Sequence, residues 1–171
     1  PVGLVLDPGG SPPGDRPMSW QVLGQMMIPG EPQGKGRPRF VRATGRAYTP
    51  SQTLQYEDRV ATIAALVFEG KDLPLGPDVP VRLDVEAVFS RPKRLYRRKD
   101  PAERIWACRS RIDGDNILKA LGDGLQRILF ADDRQVVEAS VSKQYGRILD
   151  RKTKRGELSH VYVTVYHWVE Q

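Results

Sequence analysis

Carboxylates and a lysine bracket one short apolar stretch of the chain. The segment reads Arg111-Ile112-Asp113-Gly114-Asp115-Asn116-Ile117-Leu118-Lys119 and closes at Asp132-Asp133. Unpaired carboxylates held within a few ångströms repel, and each makes its neighbour harder to ionise. A hard divalent cation reverses that cost, and carboxylate oxygen is the ligand Mg²⁺ prefers. Mg²⁺ keeps several waters and is commonly completed by substrate phosphate, so a few Asp and one Lys are a sufficient protein share for phosphodiester hydrolysis. The same residues have a plainer reading. Asp115 is a suitable helix N-cap, Asp113-Gly114 a turn, and Asp132-Asp133 a solvated loop.

The elements that must position these groups follow from periodicity. With Asp115 as N-cap, the pattern predicts a helix over about Asn116 to Ile128, its apolar face formed by Ile117, Leu118, Leu121, Leu125 and Ile128. Lys119 lies one turn beyond Asp115, so its ammonium returns to the acidic end. Asp123 and Arg127 continue that face and read as a salt-bridge ladder, with Asp123 a weak site candidate. Asp132-Asp133 occupy a turn that can fold back beside the helix start.

At 171 residues, with 39% hydrophobic and 28% charged content, the chain suits one globular domain. Residues 1–17 are rich in Pro and Gly and read as a flexible extension, leaving 18–171 as the single folded domain. The net charge of +6 favours a polyanionic partner. One cysteine, Cys108, allows no internal disulfide and suits a reducing compartment. No apolar run is long enough to span a membrane and no signal peptide is visible, so the cytoplasm is expected.

Trp20 to Ile28 reads as a first strand. The loop after it carries Lys35, Arg37 and Arg39 among glycines and prolines: either phosphate contacts or a solvated basic loop. It lacks the Gly-Lys-Ser/Thr ending of a nucleotide P-loop, so no nucleotide cofactor is expected. Phe40 to Tyr48 suits a hairpin around Gly45. A helix is expected from Thr49 as N-cap to about Glu69, burying Leu54, Val60, Ile63, Ala64 and Val67 and stopping at Gly70. Val81, Leu83, Val85, Ala87 and Phe89 alternate as a central strand with one buried face.

Two basic runs follow. Arg91, Lys93, Arg94, Arg97, Arg98, Lys99, Arg104, Arg109 and Arg111 lead into the acidic cluster, with Tyr96 and Trp106 interleaved. Such a run is solvated by default. Beside acids, however, it is what holds a phosphate backbone against carboxylates. Arg147, Arg151, Lys152, Lys154 and Arg155 lie between expected strands Gln135–Tyr145 and His160–Trp168, as at the tip of a hairpin joining them. His160 and His167 point to opposite faces of the last strand, which leaves little for a histidine base or zinc site. Cys108 lacks a nearby histidine, and no serine sits in a nucleophile elbow.

Asp113-Gly114-Asp115-Asn116-Ile117-Leu118-Lys119, followed by Asp132-Asp133-Arg134-Gln135-Val136-Val137, resembles the RusA-like Holliday junction resolvases. That family carries Asp-x-Asp-Asn-x-x-Lys, a helix, then Asp-Asp-x-Gln-Val. Arg37-Pro38-Arg39, Tyr48-Thr49-Pro50 and Tyr56-Glu57 are similar to the amino-terminal pattern of phage and prophage members. The resemblance implies a small α/β fold of α+β type, with a mixed sheet of about four to five strands packed with two main helices. It further implies a homodimer and Mg²⁺-dependent cutting of branched, four-way DNA, with Mn²⁺ a possible substitute. On it, Asp113, Asp115 and Asp133 match the essential acids and metal ligands, Lys119 the essential lysine, and Asp132 a lesser ligand candidate. DNA contacts are expected from Lys35, Arg37, Arg39, Arg94, Arg97, Arg98, Arg109, Arg111, Lys152 and Lys154. Flap or fork cutting, and non-catalytic DNA binding in recombination, remain the alternatives.

Overall fold

The computed structural model describes residues 18–36, 39–41 and 46–170. The expected extension over 1–17, Arg37 and the turn at Gly45 lie outside the described residues.

Long alternating segments build one five-stranded sheet. β1 (Met18–Pro29), β4 (Val81–Phe89), β6 (Val136–Tyr145), β9 (His160–Glu170) and the two-residue β5 (Ile105–Trp106) lie in the order β1-β9-β4-β6-β5. β4 and β6 run parallel, and the other pairs are antiparallel. Two small ribbons flank the sheet: β2 (Arg39–Val41) with β3 (Arg46–Tyr48), and β7 (Ile148–Asp150) with β8 (Arg155–Gly156). The α+β class and the mixed sheet with two helices are as expected.

The connection between the last two long strands differs from expectation. β6 and β9 do not pair with each other; β4 lies between them and bonds to both. A tight hairpin would have made them neighbours, but residues 146–159 are long enough to pass the end of β4. The second basic run sits instead at the turn of the small β7–β8 ribbon within that connection.

Helices α1 (Ser51–Val67) and α2 (Gly114–Leu125) pack against each other and cover one face of the sheet. Val81, Leu83, Val85 and Ala87 of β4 meet Val161, Val163 and Val165 of β9 beneath them. The buried face of α1 is Thr53, Tyr56, Val60 and Ala64. Leu54 and Val67, expected inside, are 52% and 47% exposed. Contact with α2 sets that face. A Cβ on Gly124 would lie 2.7 Å from the Val60 Cβ and 2.9 Å from the Glu57 carbonyl oxygen, so the helices approach where one has no side chain. Pro50, not Thr49, is the N-cap of α1, and its carbonyl accepts from the Thr53 and Leu54 amides. Gly70 ends the segment at φ +78°.

Outside the core, Arg104 ties three segments together by pairing with Glu86 of β4 and Glu157 beyond β8. The Arg104 guanidinium holds the Glu157 carboxyl down from an ordinary 4.5 to about 2. Because the folded value lies below the unfolded one, this pair stabilises the fold above about pH 4.5 and loses that contribution as pH falls toward 2.

Two outcomes follow from this packing. Gly124→Ala should lower stability by about 2 kcal/mol through overpacking, read as a fall in Tm; an unchanged Tm would mean that the helices can part freely. Glu157→Gln should be less stable than wild type at neutral pH and should converge with it in denaturant titrations toward pH 2. A gap that persists at pH 2 would contradict the ion-pair account.

Candidate active site at the head of the second helix

The site is built on α2, whose buried face is Ile117, Ala120, Leu121, Gly124 and Leu125. Burying those residues leaves Asp115 and Lys119 facing solvent, one turn apart. Lys119 Nζ lies 3.2 Å from Asp115 Oδ2, with side chains 63% and 65% exposed. The hydrogen bond from the Lys119 ammonium holds the Asp115 carboxyl below the usual carboxylate range, so it is ionised in mildly acidic solution.

The N-cap is Asp113 rather than Asp115, and the helix starts at Gly114 and stops at Leu125, before the expected Ile128. Asp113 occupies the cap without using its carboxylate. Its side chain accepts no helix amide, while its carbonyl accepts from Ile117. Asp115 lies in the first turn instead, where the helix dipole favours an anion. Both carboxylates therefore stand exposed at the positive end of α2.

Three neighbours hold that end in place. Lys143 of β6 donates to the Ile112 carbonyl at 2.9 Å, and the Ser110 hydroxyl donates to it at 3.2 Å. On the other side, the loop after β1 lies across the first turn, where the Lys35 amide donates to the Asn116 carbonyl at 2.9 Å. A Cβ on Gly34 would come within 2.7 Å of Ile112 and 3.1 Å of Asn116, so this crossing needs a glycine.

Lys35, expected to reach a phosphate, turns between the helices. Its ammonium lies 2.6 Å from Glu57 of α1 and 2.5 Å from Asp123 of α2. Burial pulls the Lys35 pKa down, but hydrogen bonds with Asp123 and Glu57 more than offset this, and the net shift is upward. Asp123 is thus partnered by Lys35 and not by a ladder through Lys119 and Arg127. Arg127 lies beyond the helix with φ +68°.

The second acidic element is the 3₁₀ turn at Asp133–Gln135. Asp132 caps it, accepting the Arg134 amide at 2.9 Å and pairing both oxygens with the Arg134 guanidinium. That guanidinium holds the Asp132 carboxyl far below the ordinary range. Gln135 is buried with every polar atom used. Its Oε1 accepts from the Ala131 and Asp132 amides, and its Nε2 donates to the Gly76 and Val79 carbonyls. The turn is thereby pinned to the chain that leads into β4. Asp133 is left exposed beside Asp132, its carbonyl accepting from the Val136 amide.

Helix and turn meet at one cavity of about 500 Å³. Lys35, Lys119, Asp123 and Asp133 line it with Leu118, Val136 and Ala139. The structure thus places Lys119 and Asp133 on the same cavity and ties Asp115 to it through Lys119. Asp113 stands at the cap beyond. Among the described residues, no three acidic, His or Cys side chains converge closely enough to hold a cation unaided. The donor set instead suits Mg²⁺ held by one or two carboxylates and completed by water and phosphate oxygen.

The basic runs divide by partner. Arg91 is buried and donates to the carbonyls of Gly146, Pro101 and Glu103. Arg97 pairs with Asp100, and Arg151 donates to the carbonyls of Arg97 and Asp100. These arginines hold loops. Arg94, Arg98, Arg109, Arg111, Lys152 and Lys154 are exposed, and none bonds through its side chain among the described residues. Arg39 lies in β2, and its side chain is outside the described residues. Sequence reasoning names Glu57 and Gln135 as motif residues without giving either a role, and misses the inward turn of Lys35. Only Gln135 left a local signal, as a residue with both donor and acceptor placed where a turn enters a strand.

Comparison with known proteins bears on this arrangement. The family model described as Endodeoxyribonuclease RusA matches residues 29–165, which include α2, the 3₁₀ turn and the loop at Lys35. The chain is also 30% identical over 122 residues to the uncharacterized protein YqaN of Bacillus subtilis (strain 168), covering 68% of this chain and 83% of that protein. No helix among the described residues is long and apolar enough to cross a membrane. With its acids and lysine set on the matched segment, the chain belongs to the RusA endodeoxyribonuclease family.

Proposed function

We propose that this endodeoxyribonuclease resolves four-way DNA junctions by Mg²⁺-dependent hydrolysis at the head of α2, acting as a homodimer. The observation that carries the reading is the Asp115–Lys119 pair standing over a cavity that also holds Asp133, on a segment matched by the RusA family.

Asp113, Asp115 and Asp133 are the ligand candidates, one or two of which would hold the ion beside water and phosphate oxygen, with Mn²⁺ able to substitute. Asp132 ranks behind them because Arg134 already occupies its oxygens. When bound, Mg²⁺ supplies charge neutralisation at the phosphate and acidifies a water. The protein contributes the rest. Asp115 is held ionised by Lys119, so it needs no deprotonation before it can ligate. Lys119 faces the same cavity as Asp133 and offers its charge to the scissile phosphate or the leaving 3′-oxygen. In-line attack leaves a 5′-phosphate and a 3′-hydroxyl. A two-fold dimer sets two such sites on opposing strands of a junction with matching pseudo-symmetry. Arg94, Arg98, Arg109, Arg111, Lys152 and Lys154, whose side chains have no protein partner among the described residues, bind the arms by their phosphates, giving steep salt dependence.

The test is a substrate panel run with wild type and with Asp113→Asn and Asp115→Asn. Wild type should cut four-way junctions faster than three-way, flap or fork DNA. Each variant should lose at least about a hundredfold in cutting rate while binding the junction within a few-fold of wild type. Faster cutting of flaps or forks would change the substrate. Variants that fold, yet lose junction binding along with cutting, would contradict the separation of binding from chemistry.

A further inference from the structure

A second cavity, of about 350 Å³, lies at the β5 edge of the sheet, outside the acidic site. Its walls are Arg94, Arg97, Trp106, Cys108, Arg109 and Tyr145, together with Leu95 and Ile105. Trp106 is 67% exposed, although it belongs to a strand. A large aromatic surface left in water is costly, and exposed apolar surface rimmed by charge marks binding. The indole does not help to close the core: β5 is held by Ile105 and Trp106 pairing with Tyr145 and Gln144, and by the Ala107 amide donating to the Lys143 carbonyl. Arg97 is fixed by Asp100, while Arg94 and Arg109 have no side-chain partner among the described residues.

We propose that this cavity takes an unpaired nucleotide of the DNA, with the base stacked on Trp106 and its phosphate held by Arg94 and Arg109. The inference rests on the reading that branched DNA is the substrate, because a branch point supplies bases freed from the stack. Aromatic stacking accepts any base, and guanidinium groups pair with phosphate in a fork geometry. The volume falls within the range of small-ligand sites, about 300–1,000 Å³. Inside a duplex each base face is covered by the next pair, so away from its ends paired DNA offers this wall nothing to stack on, and the cavity favours open strands.

Cys108, the sole cysteine, lines the cavity, and its alkylation therefore reports occupancy. The full chain is mixed, without divalent cation, with an oligothymidylate about eight nucleotides long or with a blunt duplex about sixteen base pairs long at equal total phosphate concentration. N-ethylmaleimide alkylation is followed by mass spectrometry and affinity by anisotropy. The single strand should slow alkylation about tenfold and the duplex less than about twofold. Trp106→Ala should lose that protection and bind the single strand about tenfold more weakly, while Trp106→Phe keeps most of both. Equal protection by duplex, or unaltered binding by Trp106→Ala, would overturn the proposal. Because no cutting is measured, protection by the single strand from a protein that cuts no junction would leave the pocket standing and remove only the resolvase reading.

Discussion

The burial of one face of α2 constrains everything around it. Ile117, Ala120, Leu121 and Leu125 are fully buried, and Gly124 presses against Val60 of α1. With 3.6 residues per turn, that commitment sends Asp115, Lys119 and Asp123 outward as one stripe. The stripe is divided between two tasks. Asp123 at the far end binds Lys35 and locks the helices together, while Asp115 and Lys119 at the near end stay exposed and pair with each other. A rigid scaffold thus ends in a few acidic groups that have no structural work of their own. Groups of this kind are free to serve a ligand.

The same division runs through the rest of the charges. In each functional-looking pair, one member is committed to the fold and the other is not. Asp132 caps its turn and binds Arg134, leaving the Asp133 carboxylate exposed on the cavity. Arg91, Arg97, Arg104 and Arg151 hold loops through carbonyls or carboxylates, leaving Arg94, Arg98 and Arg109 exposed between them. Composition alone predicts a basic surface, but only geometry separates the cations that build it from those with spare valence. The open face of the sheet illustrates this. Arg82 pairs there with Asp84 and Glu138, a set that carries net negative charge and offers little to DNA.

Local pattern was legible where one periodicity dominated. The alternation of β4 and the apolar face of α2 were read to within a few residues. The buried face of α1 was not, because its partner is a glycine on another helix, and Leu54 is apolar enough to be taken for core. The cap of α2 lies two residues before the expected Asp115, since Asp113 and Asp115 are equally good capping types and only the backbone tells them apart. The neighbours of β6 differ from expectation because sequence adjacency favours hairpins, while β4 bonds on both edges. The acidic positions were legible as a motif. The inward turn of Lys35 depends on a long-range contact with Asp123 that no local spacing encodes.

As proposed, the head of α2 and the Asp133 turn form one cation-dependent cutting centre, repeated across a dimer. Mapping the nicks on a mobile synthetic four-way junction tests it most directly, with Mg²⁺ or with EDTA in its place. Paired nicks at symmetric positions on opposing strands, each bearing a 5′-phosphate, are expected with Mg²⁺, and none with EDTA. Scattered single nicks, or undiminished cutting in EDTA, would contradict it.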